Sequence, residues 1–134
     1  MNSRTFKSEN GHELIIKSRR SAVIFEIDKS QDKGNYDFLM TFTPEGFKEL
    51  LEYIEEISNK SWANIEPKEA NSFGADYYEY YDKELDNNGY ISFRKNGLFI
   101  SRPTSEHVRL YQFNKRKMES FIYDFRRNVA EEAK

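Results

Sequence analysis

The segment from Arg94 to Lys117 concentrates basic side chains in a chain whose formal net charge is −2. Its seven lysines and arginines are accompanied by one acid, Glu106. They are Arg94, Lys95, Arg102, Arg109, Lys115, Arg116 and Lys117. The last three occupy the first turn of a predicted helix, where each cation costs roughly a few tenths of a kcal/mol against the helix dipole. Such a helix start is typical of a site for phosphates or an acidic protein. The alternative is a solvated helix end that tolerates this cost.

A hairpin is predicted just before that helix, because Asn96-Gly97 between two apolar runs indicates a two-residue turn. The predicted cross-strand pairs are Lys95 with Leu98, Arg94 with Phe99, Phe93 with Ile100, Ser92 with Ser101, and Ile91 with Arg102. This pairing places four apolar side chains on the face toward the helix: Ile91, Phe93, Leu98 and Ile100. The opposite face then carries Tyr90, Ser92, Arg94, Phe99 and Ser101.

Aromatic, basic and hydroxyl side chains on one sheet face can stack on unpaired bases, at roughly 1–3 kcal/mol per base. We therefore predict a single-stranded nucleic-acid-binding surface made of this face and the basic helix start. Its residues are Tyr90, Ser92, Arg94, Phe99, Arg109, Lys115, Arg116 and Lys117. The alternative is that a second layer or a partner chain covers Tyr90 and Phe99, as in a homodimer through the open sheet face.

Acidic and tyrosine side chains suggest a different class of function. Residues 76–86 read DYYEYYDKELD, and a predicted helix nearby carries five glutamates between positions 45 and 56. Acids spaced along a strand or helix can imitate a phosphate backbone, and tyrosines are favoured at protein interfaces. The alternative prediction is a small inhibitor or immunity-type protein that blocks a nucleic-acid-handling enzyme. Its contact residues would be Tyr77, Glu79, Tyr81, Asp82, Glu49, Glu52 and Glu56.

The tyrosine-rich stretch is predicted to form a strand with two different faces. Tyr77, Glu79 and Tyr81 share one face, and Tyr78, Tyr80 and Asp82 share the other. A helical alternative would instead align Tyr77, Tyr81 and Leu85 on one stripe.

Residue types that carry catalysis are sparse. The chain has no Cys, and its two histidines, His12 and His107, have no metal-ligand spacing around them. Gly-rich phosphate loops and recognisable acid/base pairs are also missing from the sequence. We therefore expect a protein that is not an enzyme and needs neither a metal nor a cofactor.

Two amphipathic helices should position these residues. The first begins at Thr43-Pro44-Glu45, a capping residue followed by a proline suited to the first helical position. The second begins at Asn114. Their apolar stripes are Phe47, Leu50, Leu51, Ile54 and Ile57 in the first, and Met118, Phe121, Ile122, Phe125 and Val129 in the second.

Eight extended segments precede the two helices, four before each. Before the first helix they are Thr5–Ser8, Glu13–Ser18, Ala22–Asp28 and Tyr36–Phe42. Before the second they are Asp76–Asp82, Gly89–Lys95, Leu98–Arg102 and Val108–Phe113. A shift of 71 residues superimposes the two helix stripes. We predict an α+β fold of two β-β-β-β-α units, with antiparallel sheets and one amphipathic helix packed on a face of each.

The length of 134 residues indicates a single domain, 1–134, within which the pseudo-repeats are 1–58 and 75–134. A polar linker, 59–74, would join them. No apolar run is long enough to cross a membrane, and the first residues lack the apolar core of a signal peptide. We expect a cytoplasmic protein without a membrane partner.

A tandem four-strands-then-helix repeat of this size resembles the PUR repeat domain and the related Whirly and PC4-like folds. The resemblance is one of topology and covers nearly the whole chain. It implies single-stranded nucleic acid on a curved sheet, with the helices behind it. Together with the basic cluster, it makes nucleic-acid binding the first prediction. Binding to a basic protein is the alternative.

Overall fold

A computed structural model describes residues 2–69 and 76–132, which form two sheets and two long helices. The strands are β1 (Ser3–Lys7), β2 (Glu13–Arg19), β3 (Ala22–Glu26), β4 (Asp37–Thr41), β5 (Glu79–Asp82), β6 (Asn87–Arg94), β7 (Gly97–Ser101) and β8 (Arg109–Phe113). Helix α1 (Pro44–Ser61) follows β4, and helix α2 (Lys115–Glu132) follows β8. The predicted α+β class, with antiparallel sheets and a helix after each set of four strands, is confirmed.

The two sheets exchange a strand. The first sheet has the order β1-β2-β3-β8 and the second the order β4-β7-β6-β5. Strand β4 therefore pairs with β7, with Met40 opposite Leu98, and β8 pairs with β3, with Phe113 opposite Val23. Each fourth strand lies in the sheet built by the other half of the chain.

Local signals explain where the helices begin. The Thr43 hydroxyl accepts a hydrogen bond from the Gly46 N–H at 3.0 Å, and Pro44 occupies the first helical position. The Asn114 side chain does the same for α2, since its oxygen accepts from the Lys117 N–H at 2.8 Å. The predicted apolar stripes of both helices are buried, except that Val129 is only partly buried.

An aromatic cluster joins the helices to both sheets. The Phe121 ring of α2 lies 5.0 Å from Phe93 in the second sheet and 4.7 Å from Phe113 in the first. Phe125, one turn later, lies 4.5 Å from Phe47 of α1. The core is therefore shared by the two sheets.

The hairpin turn lies one residue earlier than predicted, so the predicted strand register is wrong. The turn residues are Lys95 and Asn96, and Arg94 pairs with Gly97, Phe93 with Leu98 and Ser92 with Phe99. Asn96 supplies the positive φ of 47°. Gly97 is used inside β7, where a Cβ atom would lie 2.6 Å from the Met40 carbonyl oxygen of β4. Each residue of β6 pairs with a residue of β7 two positions earlier than predicted. Because the shift is an even number of residues, every side chain keeps its predicted face.

The predicted linker packs against the body of the protein. Residues 59–61 still belong to α1, and the backbone N–H of Glu66 donates to the Glu119 carboxylate at 2.9 Å. Trp62 is buried. Residues 70–74 of the linker lie outside the described residues, as do 75, 133 and 134 of the second predicted unit. The repeat boundaries therefore stay a prediction.

The tyrosine-rich stretch forms a strand over Glu79–Asp82, and the helical alternative is wrong. Residues 76–78 form a bend and turn before it. Within the described ranges, neither long helix is apolar enough to cross a membrane.

Candidate interaction surface

The face of the second sheet that points away from the helices is built from aligned rows of side chains. One row runs from Asp37 through Ser101 and Tyr90 to Glu79, and the next contains Leu39, Phe99 and Ser92. Alternate residues of the same strands point inward and are buried, among them Phe38, Met40, Tyr80, Ile91 and Ile100. We call the outward surface the open face. Its residues are Asp37, Leu39, Glu79, Tyr81, Tyr90, Ser92, Arg94, Phe99 and Ser101.

In the part of the chain that the structure describes, the exposed large hydrophobic side chains lie in this sheet or immediately before two of its strands. Leu39, Tyr81 and Tyr90 belong to the open face itself, with exposures of 42%, 55% and 46%. Tyr36 and Tyr78 stand immediately before β4 and β5 and are about as exposed. The first sheet and both helices present no such side chain among the described residues. The surface is therefore a concentrated aromatic patch.

Four of the predicted nucleic-acid-binding residues meet on the open face: Tyr90, Ser92, Arg94 and Phe99. The Arg94 guanidinium lies 4.9 Å from the centre of the Phe99 ring. One of its nitrogens donates to the Ser92 hydroxyl at 2.8 Å and to the Phe93 carbonyl at 3.0 Å. These contacts hold the Arg94 side chain against the sheet.

Arg109 does not join the open face, because it lies on β8 of the first sheet. Its guanidinium forms ion pairs with Asp82 at 2.7 Å and with Glu84 at 2.9 Å. Burial alone would lower the pKa of Arg109, but these two carboxylates raise it above its ordinary value. A cation neutralised in this way contributes little to binding a phosphate.

Lys117 is turned into the protein and is buried at the helix start. Its ammonium group donates to the backbone carbonyls of Asp76 at 3.0 Å and Glu79 at 2.5 Å. Burial lowers the pKa of this amine, with Asp76 and Glu79 acting in the opposite direction. Lys115 is half-buried and Arg116 is exposed at the same helix start.

Arg102 is also internal, although the sequence grouped it with the basic cluster. Its side chain is fully buried and donates two hydrogen bonds to Asp32, at 2.8 and 3.0 Å. Its guanidinium lies 5.1 Å from the centre of the Phe38 ring. Three of the seven predicted cations, Arg102, Arg109 and Lys117, therefore stabilise the fold and do not form a positive surface.

The residues predicted for protein binding are also divided. Glu79 and Tyr81 lie on the open face. Tyr77 and Asp82 are buried, which contradicts their predicted role as contact residues. The Tyr77 hydroxyl donates to Asp124 at 2.6 Å, and Asp82 accepts from Arg109. Both side chains are therefore occupied in holding β5 in place.

The acidic side of α1 is a separate surface. Glu49, Glu52 and Glu56 are exposed there, and Glu49 lies 3.6 Å from Arg4 of β1. Because α1 packs mainly against β2, β3 and α2, these glutamates do not extend the open face. The two halves of the predicted acidic surface are not brought together.

A cleft of about 420 Å³ lies between β5 and β8. Its lining includes Tyr81, Asp82, Glu84, Arg109 and Lys117. In this cleft Arg109 pairs with Asp82 and Glu84, so an acid and a base from the two predicted sites bind each other. Within the described residues, no group of three or more His, Asp or Glu side chains is arranged to hold a metal ion.

Sequence reasoning missed the contribution of β4 to the open face, through Asp37 and Leu39. The alternation of Asp37, Leu39 and Thr41 with Phe38 and Met40 did indicate that these residues share the outward side. The pairing of β4 with β7 is a long-range contact, however, and no local pattern reveals it. Comparisons of this chain with protein-family models, curated proteins and solved structures find no match.

Proposed function

We propose that this protein is a protein-binding module of the small inhibitor or immunity type, and that the open face is its contact surface. The observation that carries the proposal is that, within the described chain, the exposed large hydrophobics lie in this one sheet or immediately before its strands. Contiguous exposed apolar patches mark interaction sites in soluble proteins. Tyrosine is enriched at such sites because it offers a large, stiff contact area with a polar end.

Charge favours a protein over a nucleic acid as the partner. Tyr90 has a carboxylate on both sides in its row, Glu79 on the neighbouring strand and Asp37 two strands away. These acids repel phosphates. Arg102, Arg109 and Lys117 cannot offset this repulsion, because each is bonded to a partner within the protein. A partner with apolar and basic groups, such as the cleft of a nucleic-acid-handling enzyme, complements this surface. The order of the two functions expected from the sequence is therefore reversed.

The test compares charge reversals on two exposed glutamates, Glu79→Lys on the open face and Glu52→Lys on α1. Tagged variants would be used to capture proteins from the native host, with quantitative mass spectrometry as the readout. We expect the wild type and the Glu52→Lys variant to capture the same basic protein. The double variant, Glu79→Lys with Tyr90→Ser, should capture at least about tenfold less of it, because a loss of about 1.4 kcal/mol in binding free energy weakens the affinity tenfold. Equal retention by all variants would contradict the proposal.

Self-association must be measured alongside, because an open sheet face can also bury itself against a second copy. Sedimentation velocity over a range of concentrations gives this directly. A dimer that dissociates on Tyr90→Ser would identify a second copy of the chain as the occupant and would replace the inhibitor proposal.

Single-stranded nucleic acid is the second candidate, favoured by the Arg94 guanidinium stacked on Phe99 beside the exposed Tyr90 ring. The topological resemblance to PUR, Whirly and PC4-like folds supports it. Binding of a labelled oligonucleotide should then weaken steeply with salt and be abolished by Lys115→Glu with Arg116→Glu. Failure to bind at low salt would leave protein binding as the sole proposal.

A further inference from the structure

Strand β1 forms one edge of the first sheet, and its outer side has no strand beside it in the described chain. Hydrogen-bonded and non-bonded residues alternate along an antiparallel pair. Just past the end of β1, the Ser8 N–H donates to the His12 carbonyl at 2.7 Å, and just before its start, the Asn2 carbonyl accepts from the Ser18 N–H at 2.8 Å. The even-numbered residues of β1 therefore bond to β2, and the backbone groups of the odd-numbered residues point away from it.

The outward backbone groups of β1 belong to Ser3, Thr5 and Lys7, and all three residues are exposed. Each presents one N–H and one C=O on the outer side of the strand. None of these groups bonds to another element within the described residues. An edge of this kind is a ready template for pairing with a further strand.

The other three sheet edges are contacted by neighbouring parts of the protein. At β4, the Glu9 N–H and the Asn10 side-chain amide donate to backbone carbonyls of the strand, at 2.7 and 2.6 Å. At β5, the Lys117 ammonium donates to the Glu79 carbonyl. Strand β8 packs beside β5 and β6. Within the described chain, β1 is therefore the edge that stays accessible along its whole length.

This edge is positively charged in a protein whose net charge is −2. Residues 2–20, which include β1, β2 and the turn between them, hold five lysines and arginines against two glutamates. Beside the start of β1, Arg19, Arg20 and Lys60 line a depression of about 440 Å³, with no acid among the described residues of its lining. These three side chains and Lys7 make no ion pair within the described residues.

Charge decides which strand suits this edge. Pairing with β1 of a second copy would bring Arg4 and Lys7 of both chains onto adjacent strands, where like charges repel. Lysine on an exposed edge is a common means of preventing such self-pairing. An acidic strand meets the opposite charge, and its backbone supplies hydrogen bonds whatever its exact sequence.

We propose that β1 binds an extended, carboxylate-rich segment of a partner protein, which adds to the first sheet as a further strand. The N–H and C=O groups of Ser3, Thr5 and Lys7 form the ladder, and the unpaired cations around β1 attract the acidic side chains. This site lies on the first sheet and is separate from the open face, so it goes beyond the proposed function.

The test is an NMR titration of the full chain with two capped peptides, acetyl-Thr-Glu-Val-Glu-Val-Glu-Thr-amide and the same peptide with lysine in place of glutamate. We expect the acidic peptide alone to bind, and its binding to weaken with salt. The amide protons of Ser3, Thr5 and Lys7 should shift and gain protection from exchange. Those of Arg4 and Phe6 should change little, because they already bond to β2. This alternation distinguishes an added strand from simple attraction to the surface.

Variants of β1 locate the effect. Thr5→Pro removes an outward N–H but no bond to β2, and should weaken the affinity for the acidic peptide about tenfold. Lys7→Glu reverses an exposed charge and should weaken it at least about threefold. Lys83→Glu, between β5 and β6, is the matched control and should leave the affinity unchanged. The dispersion of the amide spectrum checks that each variant folds, and Lys7→Glu is decisive if Thr5→Pro does not.

Several outcomes would overturn the proposal. They are equal binding of both peptides, no saturable shift with either, equal shifts at Arg4 and Thr5, and an affinity indifferent to Lys7→Glu. Protection of Thr5 that rises with protein concentration in the absence of peptide would identify a second copy as the occupant and replace the proposal. Capture of a host protein reports on the open face and peptide binding reports on β1, so the two proposals fail separately.

Discussion

At the scale of single residues, a few charged side chains are paired inside the fold. Arg109 is held between Asp82 and Glu84, and Arg102 is bonded to Asp32. The Asp82 carboxylate also accepts from the Tyr80 hydroxyl at 3.3 Å and from the Leu85 N–H at 3.1 Å. A buried carboxylate with this many donors is stable as an anion.

The first prediction is a loss of stability in acid. Burial is the largest single influence on Asp82 and raises its pKa, but the bonds from Arg109, Leu85 and Tyr80 together lower it below the ordinary 3.8. A lowered folded pKa means that the stabilisation is complete above about pH 4, the unfolded value. It is lost as pH falls through the folded pKa. Asp32 acts in the same direction, chiefly through the hydrogen bond from Arg102.

Urea unfolding between pH 2 and pH 7 measures this effect. We expect Asp82→Asn to lower the free energy of unfolding by about 2 kcal/mol at pH 7 and to flatten its decline in acid, since a charged hydrogen bond is lost. The control is Glu84→Gln, because the Glu84 side chain is 72% exposed and its pair with Arg109 is screened by water. An unaltered pH profile in Asp82→Asn would mean that other carboxylates govern acid unfolding.

At the scale of elements, α2 anchors the segment that leads into β5. Lys117, Ser120 and Asp124 lie on one stripe of the helix and bind the backbone and hydroxyl of this segment. The Tyr111 hydroxyl of β8 adds a short bond to the Tyr77 carbonyl. This framework explains why so polar a segment is ordered, and it places Glu79 and Tyr81 on the open face.

The second prediction is that Lys117 supports this segment instead of binding a ligand. Lys117→Ala should lower the free energy of unfolding by about 1–3 kcal/mol, because the backbone carbonyls of Asp76 and Glu79 lose a charged donor. Amide hydrogen exchange in β5 should accelerate. The matched control is Lys115→Ala at the half-buried neighbouring position, which we expect to change stability by no more than about 0.5 kcal/mol. Equal effects of the two substitutions would argue against an anchoring role.

At the scale of the whole molecule, the exchange of β4 and β8 makes each sheet depend on both halves of the chain. The first sheet is incomplete without β8, and the second is incomplete without β4. Phe121 and Phe125 extend the same dependence into the core, because they contact aromatic rings from both halves.

The third prediction follows from this exchange. A fragment ending at Glu69 should not fold alone, since its β4 has no sheet to join and its β3 has an open edge. Mixing it with the fragment that begins at Ala70 should restore the far-ultraviolet circular dichroism of the intact chain. Cooperative unfolding of the first fragment alone would show that the halves are independent, and the exchange would then be dispensable.

Much of the fold was predictable because its signals are local. Thr43-Pro44 marks the start of α1, and alternation along β6 and β7 assigns Tyr90 and Phe99 to the outward face in either hairpin register. The register itself was not predictable. Gly97 resembles a turn residue, and only the approach of the Met40 carbonyl reveals why it lies inside a strand.

Element type, the helix starts and the two faces of β6 and β7 are properties of neighbouring residues, so the amino-acid order was sufficient for them. Strand exchange and the burial of Arg102 and Lys117 depend on residues far apart in the chain. Their energies come from packing and desolvation, which exist only after the chain is folded. For that reason the tertiary structure alone decided that Arg102, Arg109 and Lys117 have internal partners and that the aromatic sheet face is exposed.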